Sequence, residues 1–88
     1  MSGPKHVLYK SEENLSRSEL ASFLRQLAER VESGTVVLTN GERETTVEVD
    51  ERVQLEVEYE TRQKPKGTRH QLELEIEWGP ETGGVGLA

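Results

Sequence analysis

Apolar positions recur along this chain with two different periods, and the change between them divides it. Leu20, Leu24, Leu27 and Val31 follow one another at spacings of four, three and four, and Phe23 and Ala28 widen the same stripe. That is the signature of an amphipathic helix with one face meant for a core. The start is marked by Leu15-Ser16-Arg17-Ser18-Glu19-Leu20. Ser16 can accept from the Glu19 amide while the Glu19 carboxylate reaches back to the Ser16 amide, and Leu15 can staple onto Leu20. Gly34 stands where a left-handed residue closes a helix, so the pattern predicts a helix from Arg17 to Ser33.

After Gly34 the period falls to two, which predicts strands. Thr35 to Thr39 reads as a short strand, and Asn40-Gly41 as a hairpin signal that fits either a two-residue turn or a four-residue loop through Arg43. Glu44 to Val49 alternates next, with Asp50-Glu51-Arg52 as the following turn. Val53, Leu55, Val57 and Tyr59 form an inward row; Gln63 to Thr68 reads as a loop; Leu72, Leu74, Ile76 and Trp78 complete the last strand. Ahead of the helix, His6 to Glu12 is extended in character and reads as an edge strand. The expected fold class is α+β: a single antiparallel sheet of four to five strands, in β-α-β-β-β-β order, with one amphipathic helix packed on one face. Residues 1–78 are expected to form one domain and 79–88, with four glycines and a proline, a flexible Gly-rich tail.

Charge adds direction to this picture. The net charge is −6; residues 1–40 carry five basic and five acidic groups, and residues 41–88 six basic and twelve acidic ones. The excess therefore belongs to the strands, and a nucleic-acid backbone would be repelled by it. With no Cys, disulfides, thiolate zinc sites and cysteine nucleophiles are excluded, and two histidines cannot make a three-histidine metal site. No apolar run approaches the roughly 20 residues of a membrane span, and the N-terminus lacks a secretory apolar stretch. The expectation is a cytoplasmic protein with no nucleic-acid or membrane partner.

The candidate chemistry lies on the outer face of the last two strands. Gln54 to Glu60 and Gln71 to Trp78 alternate so regularly that Glu56, Glu58, Glu60, Glu73, Glu75 and Glu77 share one surface. If Val57 pairs with Leu74, Glu58 lies opposite Glu73 and Glu56 opposite Glu75, an arrangement of like charges that weakens a sheet. Such a face can solubilise, can orient a basic protein partner, or can attract divalent cations. A flat ladder lacks the converging oxygens of a calcium loop, which places the cation reading second. Trp78 has core parity and is the candidate aromatic anchor for a partner.

Other residues resist a catalytic reading. His6 and His70 have no neighbouring Ser or Asp pattern that makes a triad, Ser16 is explained as a cap, and no phosphate loop or dinucleotide fingerprint occurs. Arg62, Lys64, Lys66, Arg69 and His70 cluster around the Pro65-Lys66-Gly67 tip without the interleaved aromatics that single-stranded nucleic acid would want. No enzyme activity, cofactor or bound metal is expected. The chain should be a monomer or weak homodimer, because the last strand leaves an edge that charge only partly protects.

From Leu15-Ser16-Arg17 through Leu24-Arg25 and Leu27-Ala28, past Gly34 and Gly41, to Leu55-Glu56-Val57-Glu58 and the closing Leu72-Glu73-Leu74-Glu75-Ile76-Glu77-Trp78, the chain resembles the amphi-Trp domain family. The resemblance covers about residues 12–78, with Asp50 standing where the family pattern has a proline. It implies a small acidic protein of the kind found in bacteria and archaea, with no assigned activity or cofactor. Trp78 is the signature residue it carries over.

Overall fold

The computed structural model describes residues 4–80. The chain divides into two compact units, Met1–Val49 and Asp50–Ala88.

The first unit is built on the helix α1, Arg17–Ser33, with the bounds its cap signals predict. The Glu19 amide donates to Ser16 Oγ at 3.0 Å and the Ser16 amide donates to Glu19 Oε1 at 2.9 Å, so two of the amides that a helix start leaves unpaired are satisfied reciprocally. These bonds to Ser16, its amide first and its side chain second, hold the Glu19 carboxyl below its ordinary value near 4.5. A carboxyl lowered by folding contributes stability above its unfolded value and loses that contribution as pH falls through the folded one. On acidification the Cα shifts of Arg17 to Leu20 should therefore move toward coil before the rest of α1 responds. Glu19→Gln keeps the box geometry, so the same residues should lose this pH-dependent step; a step of unchanged size in the variant would contradict the assignment.

At the other end Gly34 adopts φ 94°, and its amide donates to the carbonyls of Arg30 and Val31, both at 3.1 Å. The Gly34 carbonyl then accepts from the Val49 amide at 2.8 Å. One residue thus ends the helix and ties down the far end of the hairpin that follows.

That hairpin comprises β1, Thr35–Asn40, and β2, Arg43–Glu48. Thr39 pairs with Glu44, the register of the four-residue option, and Asn40 pairs with Arg43 so that only Gly41-Glu42 is left to turn. Gly41 takes φ 66°, which glycine reaches without a side-chain clash. Val36 lies opposite Val47 and Leu38 opposite Thr45, giving this ribbon one apolar face. Val36 is the buried hydrophobic residue among those described, at 7% exposure. The helix stripe meets a smaller core than its pattern implies: no α1 residue is fully buried, Ala21, Leu27 and Val31 are half-buried, and Phe23 is 51% exposed.

The segment His6 to Glu12, expected as an edge strand, takes no strand conformation. Its attachment is through a side chain, the Tyr9 hydroxyl donating to the Thr39 carbonyl at 2.7 Å, and Val7 and Leu8 stay exposed. Alternation over so few residues can be met by a tethered arm as well as by a ladder.

The second unit contains β3, Gln54–Lys64, and β4, Gly67–Glu77, paired antiparallel along their full length. Both strands run further toward the tip than the sequence suggests, leaving Pro65-Lys66 as the turn. Pro65 has no amide to donate and sits outside the ladder, while Gly67 closes it at φ 139°.

The four strands form two two-stranded sheets, β1-β2 and β3-β4. The class is α+β with antiparallel strands, as expected, but the single sheet of four to five strands is not found among the described residues. The short turns specify the partners within each hairpin. Asp50-Glu51-Arg52, expected as a turn between neighbouring strands, instead lies in a non-strand link, Val49 to Val53, across which β2 and β3 do not pair. Of the expected tail, Gly79 and Pro80 are described, with Gly79 at φ 116°, and the remainder lies outside the described residues. Among the described residues no helix is long and apolar enough to cross a membrane.

Candidate acidic interface on the second hairpin

The register of β3 and β4 decides what the glutamates can do. Val57 pairs with Leu74, which places Glu56 opposite Glu75 and Glu58 opposite Glu73; Glu60 faces Gln71 and Glu77 faces Gln54. Since side chains alternate across a strand, the six glutamates occupy one face. All six are exposed. Two carboxylate pairs stand directly across the ladder from one another, where opposite charges would stabilise and like charges cost a few tenths of a kcal/mol or more, about 0.2–1 kcal/mol each.

Signs on this face are segregated along the strands. Toward the tip Arg62 lies opposite Arg69, with Lys64 opposite Gly67 and Lys66 in the turn. Interleaving these cations among the glutamates would have relieved both repulsions. Instead the stem is acidic and the tip basic, and a long, flexible partner would meet two different potentials along one face. Glu56, Glu58, Glu73 and Glu75, with Leu74, border an open depression of about 290 Å³.

The reverse face carries the apolar row and a contact that the sequence reading missed. Tyr59 and His70 are diagonal neighbours across the ladder, their rings 6.0 Å apart and inclined by 12°. The Tyr59 hydroxyl and His70 Nδ1 lie 2.7 Å apart. Strand parity could have placed both residues on this face, but their adjacency needs the register and an extra turn of ladder beyond Gln71. Next to them Thr68 Oγ1 donates to Gln63 Oε1 across the strands. These side-chain bonds anchor the tip, where the apolar row has ended. Trp78 follows directly on β4 and is half-buried, with Glu77 beside it in the chain.

The acidic face offers rows of carboxylates and no cage. Among the described residues no group of three or more His, Cys, Asp or Glu side chains is placed to hold a metal ion. His6 lies on the N-terminal arm and His70 at the hairpin tip, so each belongs to a different unit.

Comparison with known proteins agrees with the motif reading over a longer span. The family model described as the Amphi-Trp domain matches residues 3–86. No curated protein and no solved structure matches the chain.

Proposed function

The chain belongs to the Amphi-Trp domain family, and from that premise we propose that it is a non-catalytic interaction module whose acidic β3–β4 face docks a basic protein partner. The observation that supports this reading most directly is the register, which sets Glu56 against Glu75 and Glu58 against Glu73 on an exposed surface. A face that serves solubility alone gains nothing from opposing like charges when the same strands carry Arg62, Lys64 and Arg69. A cationic partner screens the opposed pairs and recovers their repulsion as binding energy. Trp78, half-buried just past Glu77, has the parity of the opposite face, so it can offer an aromatic contact only at the rim of the acidic one. Such a module would act in the cytoplasm, without cofactor or metal.

The test is a titration of a lysine-rich peptide into the isotopically labelled protein. Amide shifts should be confined to Glu56–Glu60 and Glu73–Glu77 and should weaken as sodium chloride rises. Glu56→Gln combined with Glu75→Gln should stabilise the fold by about 0.5 kcal/mol at low salt while weakening the peptide by about tenfold. Peptide affinity unchanged by the double substitution would remove the docking role. Calcium and magnesium at matched ionic strength provide the competing arm. Saturating shifts on the same strands with a divalent ion alone would put the cation reading first.

A further inference from the structure

The face of the second hairpin opposite the glutamates presents Leu55, Val57, Tyr59, Leu72, Leu74 and Ile76, each between 41% and 66% exposed. We propose that this face is the interface of a two-fold homodimer, in which the β3–β4 hairpins of two copies pack apolar face to apolar face. The inference is independent of the docking role, because the dimer leaves both acidic faces outward and free.

Area is the first argument. With an aromatic side chain presenting about 150–250 Å² when fully exposed, and Leu, Val and Ile less, the six residues leave at most on the order of 600 Å² uncovered. That is at the upper end of the largest apolar patch on an ordinary monomer, about 300–600 Å². Two copies would together remove at most about 1,200 Å² from water, the low end of specific interfaces and the size range of a weak dimer. A lone two-stranded hairpin is marginal in water, and doubling it into a four-stranded sandwich with a spacing of about 10 Å meets the requirement for a packed face.

Charge selects the face and the partner. The surface bearing Glu56, Glu58, Glu73 and Glu75 cannot stack on its own copy, since every contact would oppose carboxylates. The reverse face carries no formal charge along the stem, from Leu55 to Tyr59 and Leu72 to Ile76. About the Val57-Leu74 pair the larger pair, Tyr59 opposite Leu72, lies on one side and the smaller, Leu55 opposite Ile76, on the other. A two-fold axis lying between the two sheets and crossing the strands over that pair would set each copy's Tyr59 end over its partner's Leu55 end, a reciprocal contact of the isologous kind. The Tyr59-His70 contact marks where the apolar stripe gives way to Thr61, Gln63 and Thr68, so the interface ends there.

Sedimentation of the full 88-residue chain from about 5 μM to about 500 μM should show a monomer–dimer equilibrium. It should tighten as sodium chloride rises, because salt screens repulsion between two acidic copies. Salt acts in the opposite sense on a basic peptide, so failure of the dimer and failure of the docking role are separable. A sample mixed from labelled and unlabelled chains should give intermolecular NOEs from the methyl groups of Val57 and Leu74 to the partner's hairpin. Val57→Thr with Leu74→Thr keeps strand-forming side chains and should weaken the dimer at least tenfold, with cross-strand β3–β4 NOEs retained as the check on folding. A chain that stays monomeric to the highest concentration, or hairpin methyls whose NOEs lead to α1 residues such as Leu20 and Phe23, would overturn the proposal.

Discussion

Val36→Ala should lower the stability of the helix and first hairpin by about 2 kcal/mol, from roughly 0.8 kcal/mol per buried CH₂ plus the cavity left behind. Among the described residues of this unit Val36 is the side chain most completely removed from water, and its opposite number Val47 is only half-buried. The helix borders the same open depression as Val36 through Leu20, Phe23 and Leu27, none of them buried, so little packing remains to compensate. Urea unfolding followed by the helical circular dichroism signal should show a lower midpoint with an unchanged slope. A midpoint shift equivalent to less than about 0.5 kcal/mol, the size of an ordinary surface substitution, would mean that the unit is held by something other than this contact.

Gly34→Ala should cost about 1–2 kcal/mol through backbone strain alone. At φ 94° the residue lies where a β-carbon is disfavoured, yet an added Cβ would meet nothing within 4 Å. Loss of stability therefore cannot be blamed on a clash with neighbours. Gly34→Asn, which tolerates the left-handed region better, should cost less than the alanine variant. Because the Gly34 carbonyl also receives the Val49 amide, the alanine variant should speed exchange at Val49 together with the last turn of α1. Exchange at Val49 left at the original rate while the helix end frays would show that cap and clamp are separate.

How much of this could be read in advance depended on whether the governing signal was local. The helix bounds followed from Ser16, Glu19 and Gly34, each acting within four residues. That glutamate would oppose glutamate followed from strict alternation, because any even slip keeps the carboxylates on one face; that Glu56 meets Glu75 followed only once Val57 paired with Leu74. Interactions between distant segments were less legible. The pattern of His6 to Glu12 satisfied a strand, but the arm is tethered by a Tyr9 hydroxyl to a carbonyl thirty residues on. The apolar row on β3 and β4 predicted a buried face, whereas Leu55, Val57 and Leu74 remain more than half exposed. Periodicity reports which side of an element is apolar and says nothing about what covers it. At the tip, Pro65 and Gly67 read as loop markers, yet they frame a two-residue turn inside a continuous ladder. The Tyr59–His70 contact depended on that extra ladder and was invisible without it.

The length of the second hairpin, with its tight turn at one end, also sets an order of events in time. Its paired residues are separated by as few as three positions at Lys64 and Gly67 and by as many as twenty-three at Gln54 and Glu77. Loop-closure entropy grows with that separation, so the tip has the cheapest contacts to make, and ribbons of this kind form in about 1–10 μs. The pairs that close first, Lys64 with Gly67 and Gln63 with Thr68, contain no opposed carboxylates. The ladder then propagates past the opposed Arg62 and Arg69 and through the two opposed carboxylate pairs, Glu58 with Glu73 and Glu56 with Glu75, before it reaches Gln54 and Glu77. Zipping starts at the cationic tip and fraying at Gln54 and Glu77, so ionic strength acts chiefly on the rungs between, where like charges oppose one another.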